Sequence, residues 1–280
     1  MTVVRPGGVK HVTSTANPVV KAVRALHQRK SRAESGLFLA EGRKLVLDAL
    51  EAGWLPEMIL SLEPREGSGD AALAAKVRAA GADVLFVTPA VMEKVARREN
   101  PQTVIGVFPQ RLAPLASFTR GTVVVLEGPR DPGNVGTIIR TTDGAGAAGV
   151  ILVGAAADPF GIEAVRATMG SIFHVPVARA EPAEFDAFLD RWKGPVVGTH
   201  LAGTVDIRAV TPSEPQLLVM GTEQSGLSDA LAARCTTLAR IPMAGKADSL
   251  NLAVATALSL YELRRPWLGQ APPGVNRSSA

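Results

Sequence analysis

One stretch near the end of the chain shows how it is organised: Ile241-Pro-Met-Ala-Gly-Lys-Ala-Asp-Ser249-Leu-Asn251-Leu-Ala-Val-Ala-Thr-Ala-Leu-Ser-Leu-Tyr-Glu262. Its first half contains a proline, small residues, and a serine and an asparagine two positions apart, which favours an irregular loop with free backbone groups. From Leu252 onward, apolar and small residues recur with few interruptions, as in a helix buried over most of its surface. The stretch is therefore either an ordinary loop leading into a core helix or a polar binding loop supported by that helix.

Length and composition are those of a globular protein. The chain has 280 residues, 46% of them apolar, and a mean hydropathy of +0.17. Its apolar runs, such as Thr122–Leu126, are far shorter than the roughly 20 residues that cross a bilayer. The first residues lack the pattern of a secretory signal, and the single cysteine, Cys235, excludes an internal disulfide and a cysteine-rich zinc site. We expect a cytoplasmic protein that does not bind membranes.

Positive charge is concentrated at the start of the chain. Up to Lys44 there are nine lysines and arginines against two glutamates, a local charge of +7, so the remainder carries about −3 of the total of +4. A concentrated basic patch suits a phosphate backbone, although a solvated helix face gives the same pattern. The candidates for phosphate contacts are Lys21, Arg24, Arg29, Lys30, Arg32, Arg43 and Lys44.

Strand and helix patterns alternate along the chain, which is typical of an α/β fold. A basic amphipathic helix is predicted from Pro18 to Lys30, and a strand-like segment from Gly170 to Val177. The segment 109–121 has two prolines and little periodicity, which indicates a linker. The predicted organisation is an N-terminal domain at 1–108, the linker at 109–121, a C-terminal domain at 122–268 and a flexible tail at 269–280.

Three polar loops follow predicted strands of the C-terminal domain: Glu127–Asn134, Gly221–Gly226 and Ile241–Asn251. In open parallel sheets, ligands bind beyond the carboxyl ends of the strands. A helix is predicted to begin after the first loop, with Asn134 as its cap. These loops are the candidate binding site.

A glycine pattern resembling a dinucleotide-binding motif lies outside those loops. Gly144-Ala-Gly-Ala-Ala-Gly149 matches the spacing, and Glu163 lies about 20 residues further on. That motif requires a strand before it and a helix after it, whereas here a helix precedes and the strand Val150–Val153 follows. We interpret the glycines as a helix end and a tight entry into the strand.

The polar loops carry three sequence motifs: Asp131-Pro-Gly-Asn134-Val-Gly-Thr-Ile-Ile-Arg140-Thr-Thr, Val219-Met-Gly221-Thr-Glu223-Gln-Ser-Gly226-Leu, and Ile241-Pro-Met-Ala-Gly-Lys-Ala-Asp-Ser249-Leu-Asn251-Leu-Ala-Val-Ala. In order and spacing they resemble the three signature motifs of the SpoU/TrmH family of the SPOUT superfamily, RNA ribose 2′-O-methyltransferases that use S-adenosylmethionine. Leu37-Phe-Leu-Ala-Glu41-Gly-Arg-Lys44 resembles part of the small L30e-like RNA-binding domain that ribosomal-RNA members carry ahead of the catalytic domain.

The resemblance implies a C-terminal α/β domain with a deep trefoil knot, a bound S-adenosylmethionine, no metal, and homodimers formed through the C-terminal domain. The implied substrate is RNA, with 23S ribosomal RNA favoured by the N-terminal domain. By matching positions, the implied donor-binding residues are Thr199, Gly221, Ile241, Met243 and Leu250. The implied catalytic residues are Asn134, Arg140, Glu223, Ser249 and Asn251.

The role of the arginine is open between two alternatives. In the family the residue at the position of Arg140 is often assigned as the base, but a guanidinium has a pKa above about 12 and stays protonated in proteins. We therefore expect it to clamp the phosphate beside the target ribose and to stabilise the developing alkoxide. Glu223 is expected to orient its loop or Asn134, with Ser249 and Asn251 facing Arg140, whereas pure capping is the alternative for Asn134.

Other functions remain compatible with these motifs. A non-catalytic RNA-binding or ribosome-assembly factor of the same fold would carry the same basic segment, and a tRNA ribose methyltransferase would share the catalytic motifs. A small-molecule methyltransferase or dinucleotide enzyme would lack a reason for that segment. The four histidines have no metal-binding spacing. The motifs do not select the modified nucleotide.

Overall fold

The computed structural model describes residues 5–269, which form two compact units. The first unit contains residues 5–111 together with Asp158–Phe173, and the second contains Leu112–Ala157 and the chain from His174 onward. The predicted tail, 269–280, lies outside the described residues except for Gly269. In the part of the chain that is described, no helix has the length and apolar character needed to cross a membrane.

The first unit is built around a mixed five-stranded sheet. Its elements are β1 (Val9–Val12), α1 (Pro18–Ala25), α2 (Arg29–Ser35), β2 (Leu37–Glu41), α3 (Arg43–Glu51), β3 (Met58–Leu62), α4 (Gly69–Ala79), β4 (Asp83–Val87), α5 (Pro89–Ala96) and β5 (Val104–Pro109). The strand order is β1-β4-β3-β5-β2, with β1 and β3 parallel to β4, and β5 antiparallel to both β3 and β2. Valines of α1 and α5 pack on one face of this sheet.

An aromatic cluster forms a second part of the core of this unit. The ring of Phe38 contacts those of Trp54, Phe108, Phe160 and Phe173, with ring centroids 4.9 to 6.2 Å apart. Burying such a side chain contributes on the order of 2 kcal/mol. Phe160 and Phe173 belong to the segment Asp158–Phe173, which was predicted to lie in the C-terminal domain. Its contacts group it with the first unit instead.

The second unit contains a parallel sheet of seven strands. Its elements are β6 (Thr122–Glu127), α6 (Pro132–Gly144), β7 (Gly149–Val153), β8 (Val177–Ala180), α8 (Pro182–Leu189), β9 (Val196–Thr199), β10 (Val205–Asp206), β11 (Gln216–Met220), α9 (Asp229–Ala232), β12 (Thr237–Arg240) and α10 (Leu252–Arg264); α7 (Ile162–Thr168) lies between β7 and β8 in the chain but belongs to the first unit. The strand order is β10-β12-β9-β11-β6-β7-β8.

The central strands of this sheet are apolar because both of their faces are covered. Residues 123–126 of β6 and 217–219 of β11 are completely buried, as expected of parallel strands between helix layers. The buried amide of Gln216 donates to the hydroxyl of Thr122 at 2.9 Å and to the carbonyl of Leu263 in α10 at 3.0 Å. The last helix is thereby attached to the middle of the sheet.

The α/β class and the order of a small N-terminal domain and a C-terminal sheet domain are confirmed. Several local predictions are wrong: the basic helix is interrupted between Ala25 and Arg29, Gly170–Val177 contains a 3₁₀ turn at Ser171–Phe173 before β8, and β1 and β10 were not expected. These strands are short or carry polar residues, so they lack clear periodicity. The trefoil knot stays a prediction from the resemblance.

Candidate active site

The three motif loops meet at one edge of the second sheet. Strands β12, β9, β11 and β6 are consecutive neighbours and all run parallel, so the loops that follow them lie side by side. This is the edge where α/β sheets bind ligands. The structure therefore brings the three predicted loops together at this edge.

A cavity of about 800 Å³ opens between the second and third motif loops and the end of β9. It is lined by all five residues predicted to bind the donor (Thr199, Gly221, Ile241, Met243 and Leu250) and by two predicted catalytic residues, Glu223 and Ser249. Its volume lies within the range of small-molecule sites. Two apolar side chains at this cavity, Leu201 and Met243, are 75% and 41% exposed. Exposed apolar groups at a cavity favour a ligand with an apolar part.

Some lining residues were not predicted from the sequence. His200, Leu201, Pro242, Asp248 and Leu252 also line the cavity. Pro242 and Asp248 lie between motif positions, so the motif itself was a usable signal for them. His200 and Leu201 follow β9 and had no such signal, because that loop carries no motif.

The last motif loop has free backbone groups. Within residues 5–269, no hydrogen bond involves residues 241–250. Their N–H and C=O groups are therefore available to a ligand in the cavity. A bound adenine and ribose need main-chain donors and acceptors beside an apolar slot, so the residues present fit S-adenosylmethionine.

The glycine at the end of β11 is required by close backbone packing. A Cβ on Gly221 would lie 1.9 Å from the carbonyl carbon of Gly226 and 2.1 Å from the nitrogen of Leu227. The turn between them is closed by reciprocal hydrogen bonds between the backbones of Thr222 and Gly226, at 2.9 and 3.1 Å. Only glycine allows this turn to fold back over the strand end.

A chain of side-chain hydrogen bonds connects the three motifs. The amide of Asn251 donates to the side-chain oxygen of Asn134 at 3.0 Å, and the amide of Asn134 donates to Glu223 Oε1 at 3.2 Å. Because each of these residues comes from a different motif, the two hydrogen bonds hold the three loops in one arrangement. Asn134 uses both ends of its amide, so its orientation is determined by its neighbours.

The cap of α6 differs from the prediction, and the cap of α10 was not predicted. Helix α6 begins at Pro132, and its cap is Asp131, whose carboxylate accepts from the backbone N–H of Asn134 at 2.7 Å. The prediction that Asn134 caps this helix is wrong, and pure capping is excluded as its role. Asn251 is the cap of α10, since its side-chain oxygen accepts from the N–H groups of Ala253 and Val254.

Glu223 is held as a carboxylate. Partial burial acts to raise its pKa, but hydrogen bonds from its own backbone, from the Asn134 amide and from the N–H groups of Arg130 and Asp131 outweigh burial and lower the pKa below its ordinary value of 4.5. An anion that already accepts several hydrogen bonds is a poor proton acceptor. The geometry suits Glu223 to orienting the loop and Asn134, which is the role predicted from its motif.

Arg140 lies on the exposed side of α6. Among the described residues its guanidinium has no hydrogen-bond or ion-pair partner. The expected contacts with Ser249 and Asn251 are not formed: Ser249 lines the cavity, and Asn251 bonds to Asn134 and to its own helix. An unpaired, exposed guanidinium remains available for a phosphate.

The basic residues of the first unit are not equivalent. Arg32 is buried, and its guanidinium contacts Asp158 at 2.7 and 2.8 Å and donates to the carbonyls of Leu26 and His27. The prediction that Arg32 contacts RNA is therefore corrected. Of the other candidates, Lys30, Arg43 and Lys44 form ion pairs with Glu34, Asp70 and Asp48, whereas Lys21, Arg24 and Arg29 have no side-chain partner within residues 5–269.

Within the described part of the chain, no group of three histidine, cysteine, aspartate or glutamate side chains is arranged to hold a metal ion. The single cysteine, Cys235, is half-buried and donates to the carbonyl of Leu231 at 3.3 Å. Burial, with a smaller contribution from the charge of Glu127, raises the pKa of this thiol to about 11. Cys235 is therefore a thiol rather than a nucleophilic thiolate at neutral pH.

Comparisons with known proteins agree with this geometry. Residues 121–261 match the SpoU rRNA Methylase family, and residues 17–106 match the MRM3-like substrate binding domain. The 23S rRNA (guanosine(2553)-2′-O)-methyltransferase RlmP of Bacillus subtilis (strain 168) is 32% identical over 260 residues, which cover 91% of this chain and 100% of that protein.

Two solved structures are similar over most of their length. An AdoMet-bound rRNA methyltransferase from Sinorhizobium meliloti is 50% identical, with a TM-score of 0.86 and coverage of 92% of this chain and 98% of the other. The SpoU methyltransferase AviRb from Streptomyces viridochromogenes, in complex with AdoMet, is 31% identical, with a TM-score of 0.80 and coverage of 90% and 99%. The three motif loops meet at one edge of the sheet, and the chain belongs to the SpoU rRNA methylase family.

Proposed function

We propose that this protein transfers a methyl group from S-adenosylmethionine to a ribose 2′-hydroxyl of 23S ribosomal RNA. The observation that carries this proposal is the hydrogen-bonded chain from Asn251 through Asn134 to Glu223, which joins the three motifs beside the cavity of about 800 Å³. The names of the similar proteins support the reaction and the substrate class, since they are 23S rRNA 2′-O-methyltransferases.

The donor would be held by the cavity described above. S-adenosylmethionine supplies an electrophilic methyl group on a sulfonium. Free backbone groups at Ile241 and Leu250, and the close turn at Gly221, are suited to the adenine and ribose. Thr199 and Met243, which also line the cavity, are the remaining residues proposed to bind the donor.

The 2′-hydroxyl must be positioned and its developing charge stabilised. Arg140 is an exposed cation without a partner among the described residues. We assign to it the binding of the phosphate beside the target ribose, because a planar guanidinium can bind two phosphate oxygens at once. From there it also stabilises the alkoxide that forms as the 2′-hydroxyl proton passes to water or to the phosphate. Asn134 and Glu223 position the loop beside it, with Ser249 at the cavity wall.

RNA would be bound by the first unit. It matches a substrate-binding domain, and its exposed cations Lys21 and Arg29 and its half-buried Arg24 have no side-chain partner among the described residues. Lys30, Arg43 and Lys44 are exposed and paired only with surface carboxylates, which phosphate can replace. Such contacts make binding strongly dependent on salt.

A homodimer through the C-terminal domain is part of the proposal. Val254, Leu258 and Tyr261 recur along one side of α10 and are 47 to 48% exposed. An apolar stripe at helical spacing on an otherwise folded unit fits a second copy of this helix. The cytoplasm is the proposed location, because the proposed substrate is assembled there.

The test uses purified protein, labelled S-adenosylmethionine and separate preparations of 23S rRNA, 16S rRNA and tRNA. Label should enter 23S rRNA, and mapping of 2′-O-methyl groups in ribosomal RNA with and without the protein should locate one ribose. Label in tRNA would favour the tRNA methyltransferase. Donor and RNA binding without any label in RNA would favour a non-catalytic RNA-binding factor.

A further inference from the structure

A second cavity, of about 410 Å³, lies within the first unit. It opens at the carboxyl ends of three neighbouring strands, β1, β4 and β3, which run parallel. Its polar and aromatic lining consists of His11, Thr13, Glu63, Phe86 and Thr88, with Pro89 at the start of α5. This is the position in a parallel sheet where ligands bind, and nothing in the proposed transfer reaction uses it.

The cavity contains an aromatic pair. The register of β1 and β4 places His11 opposite Phe86, and their ring centroids are 5.4 Å apart at an interplanar angle of 42°. Of the eight phenylalanines of the chain, all of which lie within residues 5–269, seven are buried and Phe86 is half-buried. The imidazole of His11 is largely exposed. Two aromatic rings accessible at one cavity form a surface on which a planar group can stack.

A carboxylate lies beside this pair. Glu63 follows β3, is 67% exposed, and places Oε2 3.4 Å from Nδ1 of His11. Its other oxygen, Oε1, has no partner in the described part of the chain. The cavity therefore offers a stacking surface and a hydrogen-bond acceptor at its edge, but no cation for a phosphate among its lining residues.

We propose that this cavity binds an unpaired guanine base of the RNA substrate, an inference that rests on the proposed function. Proteins read single-stranded RNA by stacking bases on aromatic rings and by hydrogen bonds to the Watson–Crick edge. Guanine presents two adjacent donors on that edge, N1–H and the N2 amino group, which match one carboxylate. Uracil presents one donor, and cytosine and adenine present only an amino group. His11 and Phe86 stack the base, and Glu63 selects it.

The test measures binding of short fluorescent oligouridylates that carry one central guanosine, inosine or adenosine to the full-length protein. Inosine lacks only the N2 amino group of guanosine. Wild type should bind the guanosine oligonucleotide on the order of tenfold more tightly than the inosine one, because a hydrogen bond to a charged group is lost. Glu63→Gln should remove that difference. His11→Ala and Phe86→Leu should weaken binding of all three on the order of tenfold.

The matched control is Glu66→Gln, which removes the same charge from an exposed position outside the cavity. It should leave the preference for guanosine intact. In methyl transfer to 23S rRNA, the cavity variants should raise the KM for RNA and leave kcat and the KM for S-adenosylmethionine unchanged. His11 is exposed, so His11→Ala keeps the test valid if Phe86→Leu disturbs folding.

Three results would overturn the inference: equal affinity of wild type for guanosine and inosine oligonucleotides, no binding of the guanosine oligonucleotide up to about 1 mM, or tight binding of free guanosine monophosphate that does not compete with the oligonucleotide. If wild type methylates 23S rRNA but shows one of these results, the inference fails and the proposed function stands. If wild type prefers guanosine but methylates no RNA, the proposed reaction fails and the base site stands.

Discussion

The side-chain amide of Asn251 donates a 3.0 Å hydrogen bond to the side-chain oxygen of Asn134, a residue 117 positions earlier in the chain. The oxygen of the same Asn251 amide caps α10. One side chain therefore starts the last helix and connects it to the first motif. Because Asn134 in turn donates to Glu223, a change at Asn251 reaches the whole site.

Replacing Asn251 by aspartate separates these two roles. Aspartate caps helices as well as asparagine does, so we expect the free energy of unfolding to change by less than about 0.5 kcal/mol. The carboxylate cannot donate to Asn134, and kcat should fall roughly tenfold or more as the loop loses its fixed position. Chemical denaturation and methyl-transfer rates measure the two effects. Asn251→Ala, which removes the cap as well, should lose both stability and rate. Full activity of Asn251→Asp would contradict the positioning role.

Arg140→Lys distinguishes a phosphate clamp from a base. Lysine keeps the charge but loses the two-pronged contact, so kcat should fall roughly 10- to 100-fold at pH 7. If the residue at position 140 acts as the base, kcat of Arg140→Lys should instead rise toward high pH, because the lysine ammonium loses its proton near pH 10. Rates from about pH 7 to 10 decide between them. Arg191→Lys, another exposed arginine of the second unit, is the matched control and should behave as wild type.

Gly221→Ala should prevent the donor from binding. The added Cβ would meet the backbone of Gly226 and Leu227 at about 2 Å, so the turn after β11 must move away from the cavity. We expect the Kd for S-adenosylmethionine, measured by calorimetry, to rise at least roughly tenfold. Gly245→Ala is the control, since nothing lies within 4 Å of its added Cβ although it belongs to the neighbouring loop. An unchanged Kd with Gly221→Ala would contradict donor binding in this cavity.

Glu223 should make stability depend on acid pH. Because its pKa is lower in the folded protein than its ordinary 4.5, its contribution is fully present at neutral pH and is lost as the pH falls through the folded value. Glu223→Gln lacks this titration. The Tm difference between wild type and Glu223→Gln should therefore be largest near pH 7 and should shrink below about pH 4.5. A difference that grows toward acid pH would mean that the pKa is raised rather than lowered.

Arg32 and Arg29 should separate stability from RNA binding. Arg32→Ala removes a buried guanidinium that contacts Asp158 and donates to the carbonyls of Leu26 and His27, and should cost about 3–5 kcal/mol in chemical denaturation. Arg29→Ala, at an exposed position three residues away, should change stability by less than about 0.5 kcal/mol. RNA binding should respond in the opposite way. Arg29→Ala should weaken RNA binding and lower the number of ions released on binding, read from its salt dependence, by about one. Loss of stability with Arg29→Ala would place that residue in the fold rather than on the RNA surface.

Much of the fold could be predicted because its signals are local. The apolar run Thr122–Glu127 and the similar run Gln216–Met220 indicate strands buried on both faces, and both are central in the parallel sheet. Most cavity residues could be predicted in the same way, since they lie in or beside a polar loop that follows such a strand, whereas His200 and Leu201 follow β9 without a motif. The two-residue strand Val205–Asp206 had no such signal, because two residues have no period.

Residue type and chain position established that Asn134, Glu223 and Asn251 belong to three loops at one sheet edge, and that the chain has an α/β fold. They could not establish which of Asp131 and Asn134 caps α6, because both are good caps and the backbone geometry selects Asp131. Nor could they separate buried Arg32 from exposed Arg29, since the partner of Arg32 is Asp158, far along the chain. Secondary structure follows from local periodicity, whereas hydrogen bonds and ion pairs between distant residues form only when packing of the whole unit brings them together.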